Sequence, residues 1–76
     1  MRTFNDIVTE HLKIATAAIR PDLTPEDVPD WDSMNYLLFI AELEKEYDIS
    51  FTMDDVLGMK SLGDVMSALR AKGITI

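Results

Sequence analysis

The chain has 76 residues and a formal net charge of −7, which comes from 14 acidic and 7 basic side chains. A chain of this length has one small hydrophobic core, so we expect a single domain over residues 1–76. The excess of carboxylates argues against nucleic acid as a partner, because phosphate binding requires a basic surface. It favours protein partners with basic surfaces, because complementary charges speed their encounter.

The chain contains no cysteine. It therefore has no disulfide, thiolate nucleophile or soft metal site of its own, and any thiol chemistry has to come from a cofactor. No stretch approaches the roughly 18 apolar residues of a membrane span, and the start lacks the apolar run of a secretory signal. We expect a complete, free-standing cytoplasmic protein that does not insert into membranes.

The first predicted helix runs from Phe4 to near Arg20. Thr3 has the position of its N-cap, and Pro21 disfavours helical geometry at the residue before it. His11 lies in this helix, but no second catalytic group is evident, so we interpret it as an ordinary surface or boundary residue. The apolar residues that recur at helical spacing, and are predicted to face the core, are Phe4, Ile7, Val8, Leu12, Ala15, Ala18 and Ile19.

Residues 21–31 are rich in proline and carboxylates and are predicted to form a loop. Within this loop, residues 24–27 have the threonine cap, first-position proline and third-position acid of a single helical turn. Leu23, Val28 and Trp31 are the apolar residues expected to anchor the loop to the bundle.

The second predicted helix begins at Ser33 and ends at about Tyr47, with Asp32 as a good N-cap. Ser33 then lies in the first turn, where free backbone N–H groups and the positive end of the helix dipole favour an anion such as a phosphate ester. The predicted core stripe of this helix consists of Leu37, Ile40, Leu43 and Tyr47, flanked by Tyr36 and Phe39. Another face carries Met34, Leu38, Ala41 and Lys45.

The rest of the chain predicts two more helices. Residues 52–55 and 61–64 have the pattern of capping boxes, which open a short third helix ending at Gly58 and a last helix closed by Lys72 and Gly73. Leu62, Val65, Met66 and Leu69 are expected to face the core. The sequence therefore predicts an all-α fold, a small four-helix bundle of three main helices and a short third helix.

Asp32-Ser33-Met34, followed by the amphipathic second helix, resembles the attachment motif and second helix of the acyl carrier proteins, which usually read Asp-Ser-Leu here. The resemblance extends from the first helix to Gly73. It implies the acyl carrier protein type of bundle and a 4'-phosphopantetheine arm that a phosphopantetheinyl transferase, or holo-synthase, joins to Ser33 as a phosphodiester. Asp32 would be the motif acid and helix cap. The thiol of the arm carries acyl groups as thioesters, so the chain would be a carrier and not an enzyme.

The resemblance also implies that the transferase and the acyl-loading and acyl-transfer enzymes dock on the second helix. The residues expected to contact them are Met34, Asn35, Leu38, Ala41 and Glu42. Carrier proteins of fatty acid synthesis usually have acids at the positions of Asn35 and Leu38, and this chain does not. If Met34 and Leu38 are exposed, they form an apolar patch that favours a dedicated partner in a specialised polyketide, lipid or other acyl-transfer pathway.

Other functions stay open on the sequence. Within the same chemistry, the chain could be an aminoacyl or peptidyl carrier; from a different class, it could be an unmodified helical interaction module. A catalytic serine lacks a base within sequence reach. The acids at 42, 44, 46, 54 and 55 are expected to form a solvated face and no metal site. We expect a monomer.

A further hypothesis concerns the cargo. An acyl chain on the arm could lie in a crevice between the second and third helices. The residues near that crevice are Val56, Leu57, Met59 and Leu62.

Overall fold

The starts of the helices follow the capping residues of the sequence. The computed structural model describes residues 2–76, with α1 at Phe4–Leu12, α2 at Ser33–Tyr47, α3 at Met53–Gly58 and α4 at Leu62–Ala71. The N-caps, whose side chains each accept a hydrogen bond from a first-turn N–H, are Thr3, Asp32, Thr52 and Ser61. The predicted all-α fold with four helices and a short third one is confirmed.

Helix α1 is shorter than predicted. It ends at Leu12 because Lys13 adopts the left-handed conformation, with φ of 57°. The expected continuation to near Arg20 is wrong; a short 3₁₀ helix, Thr16–Ala18, follows instead. Ile14, which follows the left-handed Lys13, is buried. The predicted core positions that are exposed as a result are Ala15 and Ala18.

The core lies between α1, α2 and α4. Its fully buried side chains are Ile7, Val8, Leu12, Phe39, Leu43, Leu62, Val65 and Leu69. The prediction that Leu37 faces the core is wrong, because its side chain is 57% exposed and Phe39 takes the central position. The ring of Phe39 packs edge-on against Phe4, with 6.2 Å between the ring centroids. Hence α1 and α2 are joined mainly by aromatic and aliphatic contact.

The loop before α2 is fastened to the start of α4. The backbone N–H of Gly63 donates to the carbonyl of Pro21 at 2.7 Å, and that of Leu62 donates to the carbonyl of Leu23 at 2.9 Å. Leu23, Val28 and Trp31 are buried, as predicted. The loop therefore has a fixed path into the start of α2.

Helix α3 has six residues and buries none of them. Its capping box is complete: the Thr52 hydroxyl accepts from the N–H of Asp55, and the Asp55 carboxylate accepts from the N–H of Thr52, both at 3.0 Å. The Tyr36 hydroxyl donates to the carbonyl of Val56 at 2.8 Å. Helix α3 is therefore held by this hydrogen bond to α2 and by the half-buried Val56, which packs against the core.

Helix α4 begins with half of the predicted capping box. The Ser61 hydroxyl accepts from the N–H of Asp64, but the Asp64 carboxylate accepts from the N–H of Lys60 instead of Ser61. The helix closes as predicted, since Gly73 has φ of 87°. None of the helices in residues 2–76 has the length and apolar character that a membrane span requires.

Candidate functional site

Ser33 is the first residue of α2, and it is exposed. The chain enters the helix along one path, because Asp32 Oδ1 accepts from the N–H of Asn35 at 2.8 Å. The amide of the Asn35 side chain donates to the carbonyl of Asp30, also at 2.8 Å. Within residues 2–76, the Ser33 side chain makes no hydrogen bond. Its hydroxyl is therefore accessible at a firmly anchored helix start.

The start of α2 offers hydrogen-bond donors to an anion. The N–H groups of the first helical positions, Ser33 and Met34, have no acceptor inside the helix, and the helix dipole adds partial positive charge. The Asp32 carboxylate opposes an anion by its charge, but it is bound to the N–H of Asn35. A phosphodiester on Ser33 would lie against these donors.

A surface groove of about 740 Å³ lies beside Ser33, between the first loop and α3. Its lining is mostly apolar or aromatic, and its charged side chains are the cation of Lys60 and the carboxylates of Glu26 and Asp32. Three of the four proposed crevice residues, Val56, Leu57 and Met59, line this groove, whereas the fourth, Leu62, is buried in the core. The groove provides space for a flexible arm next to the hydroxyl that would carry it.

Tyr36 links the groove to α3. Its ring stacks on that of Trp31, with centroids 6.0 Å apart, and its hydroxyl donates to Val56. Burial, with a smaller contribution from the charge of Asp64, raises the pKa of Tyr36. The phenol therefore stays neutral and remains a donor.

The structure brings some of the predicted partner-binding residues together. Met34 and Leu38 are 72% and 52% exposed, and Ala41 is exposed on the same face of α2. Asn35 is half-buried and bound to the first loop. Glu42 does not lie with the others: its carboxylate is 3.0 Å from the guanidinium of Arg2 and 3.7 Å from the imidazole of His11.

The sequence interpretation missed two residues near the site. Leu37 is exposed on α2, although the helical spacing predicted it in the core. Lys60 lines the groove, and no sequence signal marked it, because the groove forms from segments distant in the chain. In residues 2–76, no group of three or more histidine or carboxylate side chains could hold a metal ion.

These residues fit a phosphopantetheine arm: an exposed serine hydroxyl, free first-turn donors and an adjoining groove. The family described as "Phosphopantetheine attachment site" matches residues 3–69. No curated protein matches the sequence. A solved structure of a candidate acyl carrier protein from Mycobacterium tuberculosis is similar, with a TM-score of 0.80 and 26% identity over 91% of this chain and 92% of that one.

The family match includes α1, α2, α3 and most of α4, and with them the Asp32-Ser33 motif. The solved structure has the same all-helical fold over almost its whole length. Members of this family are carriers and not enzymes, and they take 4'-phosphopantetheine as a covalent cofactor. The chain therefore belongs to the phosphopantetheine-binding family of carrier proteins that includes the acyl carrier proteins.

Proposed function

We propose that this protein carries acyl groups as thioesters on a 4'-phosphopantetheine arm attached to Ser33. The observation that carries the proposal is the exposed Ser33 hydroxyl at the start of a 15-residue helix, inside the segment that matches the attachment-site family. When bound, the arm supplies the terminal thiol on which the acyl group is held. The chain supplies the attachment point and its surroundings.

Each residue of the site has a distinct role in this proposal. Ser33 provides the oxygen that accepts the arm, and Asp32 fixes the helix start through its bond to the N–H of Asn35. The first-turn N–H groups hold the phosphodiester. Within residues 2–76, the one histidine, His11, contacts Glu42 and not Ser33, so the base that activates the hydroxyl belongs to the transferase.

The position of this carrier in metabolism is also a proposal. Asn35 and Leu38 stand where carriers of fatty acid synthesis usually have acids, and this departure supports a specialised lipid, polyketide or other acyl-transfer pathway. The net charge of −7 mildly favours an acyl carrier over an aminoacyl or peptidyl carrier. The proposed partners are the phosphopantetheinyl transferase and the acyl-loading and acyl-transfer enzymes. We also propose that the carrier is monomeric and cytoplasmic.

Intact-mass measurement tests the attachment. The purified chain is incubated with coenzyme A, magnesium and a broad-specificity phosphopantetheinyl transferase, and the wild type should gain one arm. Ser33→Ala should gain none, whereas Ser67→Ala, which changes an exposed serine of α4, should be loaded like the wild type. Circular dichroism checks that each variant is folded.

Two outcomes would contradict the proposal: a folded wild type that no transferase loads, or a Ser33→Ala variant that gains the arm. The cargo needs a separate measurement. Mass spectrometry of the chain isolated from its native cells, with the cargo released by mild base, distinguishes an acyl group from an aminoacyl group.

A further inference from the structure

The groove beside Ser33 has a floor of buried side chains. Trp31 and Met59 line the groove, yet they are only 6% and 9% exposed and belong to the hydrophobic core. Leu62, in the same core, is fully buried. An acyl chain that reached Leu62 from the groove would therefore have to pass between the residues of this floor.

Tyr36 ties the floor together. It follows Ser33 by three residues on α2, so the two side chains lie on the same side of the helix. Its ring stacks on that of Trp31, with centroids 6.0 Å apart and planes inclined by 30°. Its hydroxyl donates to the carbonyl of Val56 in α3 at 2.8 Å. The Tyr36 side chain thus bridges the first loop and α3 across the base of the groove.

Both ends of this bridge are fixed. The backbone N–H of Trp31 donates to the carbonyl of Val28, a buried residue, at 3.0 Å. The backbone N–H of Val56 donates to the carbonyl of Thr52, also at 3.0 Å, and the Val56 side chain packs against the core. A passage from the groove into the core therefore opens only if the Tyr36 ring moves out of its place.

We propose that Tyr36 is a gate that keeps the acyl group out of the core, so that the acyl group lies in the groove against Trp31 and Met59. This inference rests on the proposed function. The groove has a volume of about 740 Å³ and a mostly apolar lining, so an acyl chain finds apolar surface there without entering the core. The cargo would then be available to a partner enzyme without first being drawn out of the core.

The charges around the groove narrow the class of cargo. The carboxylates of Glu26 and Asp32 line it, against the single cation of Lys60. The phosphodiester on Ser33 would add further negative charge. A cargo with a carboxylate of its own would increase this excess, which costs electrostatic free energy. The groove therefore fits a neutral, apolar acyl group.

Acyl-loaded protein tests the gate. A broad-specificity transferase attaches the octanoyl arm or the acetyl arm from the corresponding acyl-coenzyme A, and intact mass confirms the loading. In methyl NMR spectra of the wild type, octanoyl should shift the signals of Val56 and Met59 relative to acetyl but leave those of Leu62 unchanged. Trp31 is the one tryptophan of the chain, so its fluorescence should also respond to octanoyl.

Variants of the two tyrosines of α2 supply the comparison. Tyr36→Leu removes the ring and hydroxyl but keeps an apolar residue that favours a helix. In this variant octanoyl should shift the Leu62 signals. Its thioester should also react with hydroxylamine about tenfold or more slowly than in the wild type, because burial of each methylene favours the interior by about fourfold.

Two further variants are controls, and circular dichroism checks that each is folded. Tyr36→Phe keeps the ring in the passage and should exclude octanoyl from the core like the wild type. Tyr47→Leu changes the half-buried tyrosine at the far end of α2, away from the groove, and should alter neither readout.

Three results would overturn the gate. The first is a wild type whose Leu62 signals move with octanoyl, and this measurement does not depend on the folding of any variant. The others are a folded Tyr36→Leu variant that still keeps octanoyl outside the core, and a Tyr36→Phe variant that admits it. The proposed function would stand in all three cases, because intact mass shows separately whether Ser33 carries the arm.

Discussion

Helices α1 and α3 begin in the same way, yet they are held in different ways. Each starts with a threonine N-cap whose hydroxyl accepts from an aspartate N–H, and in each the aspartate carboxylate returns a bond to the threonine N–H. Helix α1 then buries Phe4, Ile7, Val8 and Leu12 in the core, whereas α3 buries no residue. Capping is therefore an addition to packing in α1 but a main support of α3.

The weakly buried helix, α3, is the one that lies beside the attachment site. Helix α3 forms one wall of the groove beside Ser33 and carries the exposed side chains of Met53 and Leu57. An element with few buried contacts opens at low free-energy cost, and elements that admit a ligand are usually of this kind. We infer that the core of α1, α2 and α4 supplies the stability, while α3 can adjust to the arm and to partners.

Removing a central core side chain should have the largest effect. Phe39→Ala deletes a fully buried ring in contact with Phe4 and should cost about 3–5 kcal/mol. Because small domains are only marginally stable, this loss should unfold much of the population. Urea denaturation followed by circular dichroism measures it.

The neighbouring residue provides the control. Leu38→Ala removes a side chain that is 52% exposed and should cost well under about 1 kcal/mol. Equal losses for the two variants would mean that the outward face of α2 is packed against something in the folded protein.

Adding a side-chain atom where the first loop contacts α4 should have an intermediate effect on stability. A Cβ at Gly63 would lie 2.9 Å from the carbonyl oxygen of Pro21, and a backbone atom cannot easily move away. Gly63→Ala should therefore destabilise the protein by about 1–3 kcal/mol and weaken the bond from the Gly63 N–H to Pro21. Thermal unfolding measures the loss.

The matched control is Gly58→Ala in α3, where a Cβ would meet nothing within 4 Å. It should be neutral or stabilising by up to about 1 kcal/mol, because alanine favours the helix and loses less chain entropy on folding. A destabilised Gly58→Ala variant would show that α3 is more tightly constrained than its exposed surface indicates.

Capping residues made much of this fold predictable from the sequence. Asp32 placed the start of α2 at Ser33, and its end near Tyr47 was also predicted correctly. Local hydrogen bonds between a side chain and the next turn depend on neighbouring residues only, so sequence reasoning captures them. The end of α1 was missed, because Lys13 in the left-handed conformation carries no glycine signal.

The orientation of α2 was harder to predict. Its apolar residues include Leu37, Leu38, Phe39 and Ile40 in one run. Helical spacing was therefore compatible with more than one face of the helix being buried. In the folded protein, the face that contains Phe39 is buried and Leu37 is exposed. The groove was not predictable either, because it depends on how the first loop is bonded to α4.

Lowering the pH should have the smallest effect on stability. It also allows the most direct comparison of α1 with α3. The backbone hydrogen bond from Thr3 lowers the pKa of Asp6, and the one from Thr52 lowers the pKa of Asp55. A carboxylate with a lowered pKa stabilises the folded state above the ordinary aspartate pKa, and this contribution is lost as the pH falls towards the lowered pKa. Both capping boxes should therefore weaken in acid.

The consequences should differ, because α1 buries four residues in the core, whereas α3 packs only the half-buried Val56 against it. In NMR spectra recorded from about pH 6 to about pH 2, the helical Cα shifts of α3 should decline before those of α1. Asp55→Asn, which keeps an acceptor without the titrating charge, should flatten the decline in α3. Asp54→Asn, at an exposed neighbour without a hydrogen bond in residues 2–76, should not. If both helices melted with one midpoint, α3 would be a cooperative part of the core, and the division between a stable core and an adjustable α3 would be wrong.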